Sequence, residues 1–70
     1  MRTLYEILDV PPSSTPDEIK QGFRKKSMEY HPDKNPGDAM KAAEMVKITE
    51  AYAVLKDESR RLFYDTHGLT

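Results

Sequence analysis

The chain of 70 residues contains no cysteine, so it can form neither disulfide bonds nor thiolate metal sites. It also lacks an apolar run near the ~20 residues that a membrane-spanning helix needs. Its first residues lack the basic and then apolar pattern of a signal peptide. We therefore predict no membrane contact in this segment. The cytoplasm or the nucleus is the most compatible compartment, although the sequence itself fixes none.

An excess of charge of one sign is also missing, because 11 Lys and Arg residues face 12 Asp and Glu residues. The net charge of −1 gives no global attraction to nucleic acid. Charged residues make up 33% and hydrophobic residues 37%, which favours one small, folded, charge-covered domain over a disordered chain. The cations are unevenly placed, and five fall in one short region: Lys20, Arg24, Lys25, Lys26 and Lys34.

Helical periodicity predicts four helices, over about 3–8, 16–30, 39–56 and 58–66. No segment alternates with a period of two for long enough to form a strand. The predicted fold is therefore all-α, with two long antiparallel helices joined by a loop and flanked by two short helices. Apolar residues at helical spacing form the predicted core: Leu4, Leu8, Ile19, Tyr30, Met45, Ile48, Ala51, Tyr52, Leu55 and Phe63.

Capping residues mark three of the predicted helix starts. Thr3 with Glu6, and Thr15 with Glu18, have the spacing of a capping box, in which each residue bonds the other's backbone N–H. Asp38 is placed to cap the third helix.

Two residues of the second helix do not suit its predicted pattern. Gly22 costs about 1 kcal/mol of helix stability relative to alanine, unless close packing requires it. Lys26 falls near the apolar stripe, and we expect its stem to pack while its ammonium group reaches water.

The corner His31-Pro32-Asp33 separates the two long helices, because proline cannot continue the first one. A calcium loop is one alternative for this segment, since Asp33, Asn35 and Glu44 occupy positions one, three and twelve. Position six is Asp38 instead of the required glycine, which argues against calcium. His31 has no third ligand at a suitable spacing. We predict no metal, no cofactor and no enzymatic activity for this domain.

Four motifs in this order and at these spacings resemble a J domain, the defining module of DnaJ-type co-chaperones. They are Leu4–Leu8 (LYEIL), Tyr30–Asn35 (YHPDKN), Ile48–Leu55 (ITEAYAVL) and Tyr64-Asp65. The resemblance covers nearly the whole chain. Since J proteins usually carry further regions, we expect the chain to be a fragment or the N-terminal domain of a longer protein.

The resemblance implies a function. J domains bind heat-shock protein 70 chaperones of the DnaK type and stimulate their ATP hydrolysis, which supports client loading and folding. By family pattern Asp33 pairs with a partner arginine, and cations on the second helix dock on an acidic face. The implied chaperone-binding residues are His31, Pro32, Asp33, Lys34, Asn35, Lys20, Phe23, Arg24 and Lys25. We expect this contact to be weak and transient, and the isolated domain to be monomeric.

Several residues depart from the family pattern: Lys26 for leucine, Gly22 for alanine, Met45 for phenylalanine, Leu4 for tyrosine and Asp9 for glycine. These departures leave the tightness of the core open. Lys26 and Gly22 also leave room for a scaffold that has lost chaperone coupling. The basic second helix raises a third alternative, a small helical nucleic-acid binder, which the net charge of −1 and acidic residues such as Glu29 and Asp33 oppose. For Phe23, both a core position and a position on the docking surface stay open.

Overall fold

A computed structural model of the chain describes residues 2–68 and contains four helices in that range, with no strand. They are α1 (Leu4–Ile7), α2 (Pro16–Tyr30), α3 (Ala39–Leu55) and α4 (Glu58–His67). The all-α fold is confirmed, and each helix ends within one residue of its predicted bounds. The predicted domain limits, residues 1 and 70, lie outside the described residues.

The helix starts are fixed by side chains that accept backbone N–H groups. The hydroxyl of Thr3 accepts from the N–H of Glu6 at 3.1 Å, and the carboxylate of Glu6 accepts from the N–H of Thr3 at 2.8 Å. Thr15 and Glu18 form the same reciprocal pair before α2. Asp38 accepts from the N–H of Lys41 at 3.0 Å. All three predicted caps are confirmed.

The core lies where α1, α2 and α3 meet. Five of the predicted core residues are buried there: Leu8, Ile19, Ile48, Ala51 and Leu55. Four others are half-buried and pack against this cluster: Leu4, Tyr30, Met45 and Tyr52. The core therefore joins the apolar stripes of the two long helices, as their spacing predicts.

The prediction that Phe63 belongs to the core is wrong, since Phe63 is 51% exposed. Its ring contacts that of His67, with the ring centres 4.5 Å apart. The reason is the rotation of α4, which turns Arg61 and Tyr64 towards the rest of the domain. Phe63 lies about 200° round the helix from Arg61 and about 100° from Tyr64, and therefore faces outward.

Tyr5 is a core residue that the sequence analysis did not select, although it is only 4% exposed. Its hydroxyl donates to the carboxylate of Asp65 at 2.6 Å and accepts from the guanidinium of Arg61 at 3.0 Å. Arg61 also donates to the carbonyl of Ser14 at 2.7 Å. Burial, followed by the hydrogen bond to Asp65, raises the pKa of Tyr5. This network joins α1, the α1–α2 loop and α4.

Gly22 marks the closest approach of α2 to the preceding loop. A Cβ atom at this position would lie 2.5 Å from Val10 Cγ1 and 2.9 Å from the carbonyl oxygen of Leu8. Close packing therefore requires a glycine here. The side chain of Lys26 is only 22% exposed, which agrees with the predicted packing of its stem, and its ammonium nitrogen lies 3.8 Å from the carboxylate of Glu29.

Candidate functional site

Helix α2 ends at Tyr30 because the next residue precedes a proline. His31 is extended, with φ −62° and ψ 137°, and so leaves the helical path. Proline at position 32 favours this conformation, since its ring clashes with a helical residue before it. The chain therefore turns sharply at His31 and presents Pro32 and Asp33 at one end of the helix pair.

Asn35 holds the loop to the end of α2. Its side-chain amide donates to the carbonyl oxygens of Glu29 at 3.1 Å and His31 at 3.0 Å. The backbone N–H groups of Lys34 and Asn35 also donate to the carbonyl of His31, at 3.0 and 3.2 Å. Carbonyls that the helix end leaves unpaired thus gain partners, which fixes the loop relative to α2.

Asp33 projects from this fixed loop into solvent. Its side chain is 91% exposed, and one carboxylate oxygen lies 3.7 Å from Nδ1 of His31. The backbone N–H of Asp33 donates to the same nitrogen at 3.1 Å. Within residues 2–68, no lysine or arginine lies within 4.0 Å of the Asp33 carboxylate. The carboxylate is therefore available to a cation of another molecule.

The cations predicted for the docking surface lie on the exposed side of α2. Lys20 and Arg24 are one turn apart and share a row, whereas Lys25 lies about 100° further round the helix than Arg24. All three side chains are exposed. None of them forms an ion pair with another described residue. Their positive charge therefore faces solvent.

Phe23 lies beside this cationic row and is half-buried. Its ring stacks on that of Tyr52, with the ring centres 4.1 Å apart and the planes 7° from parallel. The ammonium nitrogen of Lys56 lies 5.6 Å from the centre of the Tyr52 ring. Phe23 therefore packs against the core and keeps part of its surface accessible, so the two interpretations left open by the sequence are compatible.

A shallow apolar groove runs along α3 next to the loop, and the sequence analysis did not find it. Pro32, Ala42, Met45 and Val46 line the groove. Val46 is 56% exposed, because it lies outside the main apolar stripe of α3. An apolar residue on the outward side of a helix, close to a charged corner, is the signal that could have indicated it.

The described residues show no arrangement for metal chemistry. Among residues 2–68, no three His, Asp or Glu side chains are grouped so that they could hold a metal ion. In the same range, no helix combines the length and the apolar character needed to cross a bilayer. The main chemical features of this region are an exposed carboxylate at the corner and exposed cations along α2.

The DnaJ domain family matches residues 3–65 of this chain, and the chain therefore belongs to that family. It is 53% identical over 68 residues to the chaperone protein DnaJ of Protochlamydia amoebophila. It is 49% identical over 69 residues to DnaJ homolog subfamily B member 2 of Mus musculus. Each match covers 97% of this chain but only 18% and 21% of the two relatives, so the chain spans about a fifth of their length.

A solved structure supports the same family at the level of the fold. The J-Trx1 fragment of ERdj5 superposes with a TM-score of 0.91 and is 40% identical in sequence. The match covers 97% of this chain and 33% of that fragment. The predicted resemblance and the helical fold are therefore confirmed together.

Proposed function

We propose that this domain binds a heat-shock protein 70 chaperone of the DnaK type and stimulates its ATP hydrolysis. The observation that carries the proposal is the Asp33 carboxylate, 91% exposed on a loop that Asn35 fixes to α2. Relatives named as DnaJ chaperones, about half identical to this chain, support it.

A carboxylate in this position suits recognition of an arginine. Arg presents parallel N–H donors that match the two oxygens of a carboxylate, and such charge-assisted bonds are stronger than neutral ones. Because the loop fixes the backbone of Asp33, little conformational freedom is lost when the bond forms. We infer that Asp33 forms the central ion pair of the complex.

The cations Lys20, Arg24 and Lys25 extend the contact along α2. Exposed charges accelerate the encounter with an oppositely charged surface, and salt weakens this effect. The groove lined by Pro32, Ala42, Met45 and Val46 offers a small apolar area next to the ion pair. A contact of this size forms a weak and transient complex, and we propose that the free domain is monomeric.

Stimulation of the partner's reaction requires no active site in this domain. Binding accelerates hydrolysis if the domain binds the hydrolysis-competent state of the chaperone more tightly than the other states. The domain is thus an activator of a partner ATPase, and its residues act on the partner's conformation.

Steady-state ATP turnover of a DnaK-type chaperone, with and without the domain, tests the proposal. We expect wild type to raise turnover and Asp33→Asn to lose most of the stimulation, because the amide carries no charge for the arginine. Asp57→Asn is the matched control. It removes the same charge beyond the other end of α3, about 25 Å from the loop, and asparagine caps a helix as well as aspartate does.

The outcomes separate the proposal from a scaffold. If wild type binds the ATP-loaded chaperone without raising ATP turnover, the domain is a scaffold, and the proposal that it stimulates hydrolysis is wrong. If Asp33→Asn stimulates as well as wild type, the role of Asp33 is wrong. Circular dichroism of each variant shows that the helices are intact in both cases.

A further inference from the structure

Helix α4 presents its apolar side chains to solvent and its charged ones to the rest of the domain. Leu62 is 67% exposed and Phe63 is 51% exposed. Arg61 and Asp65 both bond the hydroxyl of Tyr5, and these bonds fix the rotation of the helix. Leu62 and Phe63 therefore cannot turn inward. Adjacent apolar side chains that a fixed helix holds in solvent are candidates for contact with another molecule.

A groove of about 250 Å³ lies on the Phe63 side of α4, where α4 meets the end of α3. Val54, Ser59, Arg60 and Phe63 line this groove, which we call the α4 groove. Val54 is only 4% exposed, and the ring of His67 packs against Phe63 with the ring centres 4.5 Å apart. The volume is below the ~300–1,000 Å³ of small-molecule pockets, so the groove suits one large side chain.

Arg60 places the charge of this groove. Its guanidinium donates to the carbonyl oxygen of Ala53 at 3.3 Å, in the last turn of α3. An arginine has five N–H donors, so this bond leaves most of them available. Within residues 2–68, no carboxylate lies within 4.0 Å of the Arg60 guanidinium. Among the four residues that line the α4 groove, only Arg60 is charged.

The groove on the other side of α4 has no such preference for one charge. It is lined by Leu62 together with side chains of both signs, among them Lys56 and Glu58. A cation and an exposed apolar side chain thus occur on each side of α4. Only on the Phe63 side does the cation stand without an acidic neighbour in the lining of the groove.

We propose that the α4 groove binds a polypeptide segment that carries a large apolar side chain next to a carboxylate. The apolar side chain packs between Val54 and Phe63. The carboxylate accepts N–H groups of Arg60, whose parallel donors match its two oxygens. Charge complementarity to an arginine with an apolar wall on either side therefore identifies the partner as an acidic and apolar peptide.

The size of the surface limits the partner to a short segment. A stable interface buries about 800 Å² on each partner, and one small groove beside a half-exposed aromatic ring offers far less. A second copy of the domain is therefore not the expected occupant. Helix α3, about 25 Å long, separates the α4 groove from the His31–Asp33 corner, so a bound segment leaves Asp33 accessible.

Titration of the isotope-labelled domain with a capped peptide, Gly-Ser-Phe-Glu-Ser-Gly, tests the proposal by nuclear magnetic resonance. We expect saturable shifts of the Ser59, Arg60 and Phe63 amide signals, whereas the amide of Asp33 stays unchanged. A peptide with Gln for Glu should bind roughly fivefold more weakly, because it loses the charge-assisted bonds. A peptide with Ser for Phe should bind more weakly as well.

Four variants of the domain localise the contact. Arg60→Gln and Phe63→Ser should each weaken binding of the Glu peptide by roughly fivefold or more. Lys56→Gln and Leu62→Ser remove the corresponding groups on the other side of α4 and should change the affinity by less than about twofold. Circular dichroism shows that the helices of each variant are intact.

Equal affinities for the Glu and Gln peptides overturn the proposal, as do equal losses in the two pairs of variants. Absence of a saturable shift up to about 1 mM peptide overturns it too. Shifts that depend on the concentration of the domain alone would assign the groove to a second copy, and binding of a single-stranded oligonucleotide in place of the peptide would assign it to nucleic acid. Because no chaperone takes part, failure of the function proposed above leaves this result unaffected.

Discussion

The side chain of Ser27 is the clearest local defect in the interior of the domain. Its hydroxyl oxygen is buried and has no hydrogen-bond partner among residues 2–68. A buried polar group without a partner loses its bonds to water and gains nothing in return. At the scale of single residues, stability is therefore not optimised at this position of α2.

We expect Ser27→Ala to raise the free energy of unfolding by about 1 kcal/mol, because it removes the unpaired hydroxyl and improves helix propensity. Urea unfolding followed by circular dichroism measures the change. Ser59→Ala, at an exposed position of α4, tests the contribution of propensity alone. Equal gains in the two variants would show that the buried hydroxyl of Ser27 costs nothing.

The close approach of the α1–α2 loop to α2 leaves no space for a side chain at Gly22. A Cβ atom here would lie 2.5 Å from Val10 Cγ1, and the backbone carbonyl of Leu8, at 2.9 Å, cannot move as easily as a side chain. We expect Gly22→Ala to lower the free energy of unfolding by about 1–3 kcal/mol, although alanine has the better helix propensity. The neighbouring Gln21→Ala, at an exposed position, is the control. A stabilised Gly22→Ala variant would contradict the close approach.

At the scale of elements, the Arg2–Glu44 ion pair attaches the N-terminal segment to α3, and the Thr3–Glu6 cap stabilises the start of α1. Arg2 donates to a carboxylate oxygen of Glu44 on α3 at 2.8 Å. This bond lowers the pKa of Glu44. The N–H and hydroxyl of Thr3 lower the pKa of Glu6 in the same way. Both carboxylates are therefore stabilised in their charged form by the folded structure.

These shifts predict the direction of acid denaturation. Because the folded pKa of Glu44 is below its unfolded value, its contribution to stability is present above the unfolded pKa and is lost as the pH falls through the folded one. We expect the thermal midpoint of wild type to exceed that of Glu44→Gln at pH 7, and the difference to shrink by pH 3. A difference that is the same at both pH values would show that the Arg2–Glu44 pair contributes no pH dependence.

The exposed cations of α2 are the proposed docking surface at the scale of elements. We expect Arg24→Glu to weaken binding to the ATP-loaded chaperone by roughly tenfold and to reduce its dependence on salt, because the variant loses and reverses one steering charge. Lys47→Glu makes the same change at an exposed position of α3. Affinities at low and high salt, measured by surface plasmon resonance, compare the two. Equal losses would indicate an effect of net charge rather than of the α2 surface.

For the whole molecule, local sequence signals predicted the helices and most of the core. The caps at Thr3, Thr15 and Asp38 and the stripe through Ile48 and Leu55 follow from spacing alone, since each depends on residues a few positions apart. The prolines and capping residues also mark the loop ends.

The remaining features depend on how distant segments meet. Tyr5 is a core residue because its hydroxyl finds Asp65 and Arg61, which lie about 60 positions away in sequence. Phe63 is exposed because its neighbours on α4 satisfy that network. No sequence pattern within α1 or α4 alone predicts these contacts between the two helices.

The candidate site was predicted in composition but not in geometry. The sequence indicated the residues of the corner, yet the inward amide of Asn35 and the bond from Asp33 to His31 Nδ1 become visible only in the folded loop. The exposure of the Asp33 carboxylate on a fixed loop thus depends on hydrogen bonds that the sequence does not display.

The central claim is that the exposed charge of Asp33 couples this domain to a chaperone ATPase. The most direct test compares steady-state ATP turnover of a DnaK-type chaperone in the presence of wild type, Asp33→Asn and Asp57→Asn, all folded by circular dichroism. The structure predicts strong stimulation by wild type and Asp57→Asn and little by Asp33→Asn. Equal turnover with Asp33→Asn and Asp57→Asn would contradict it.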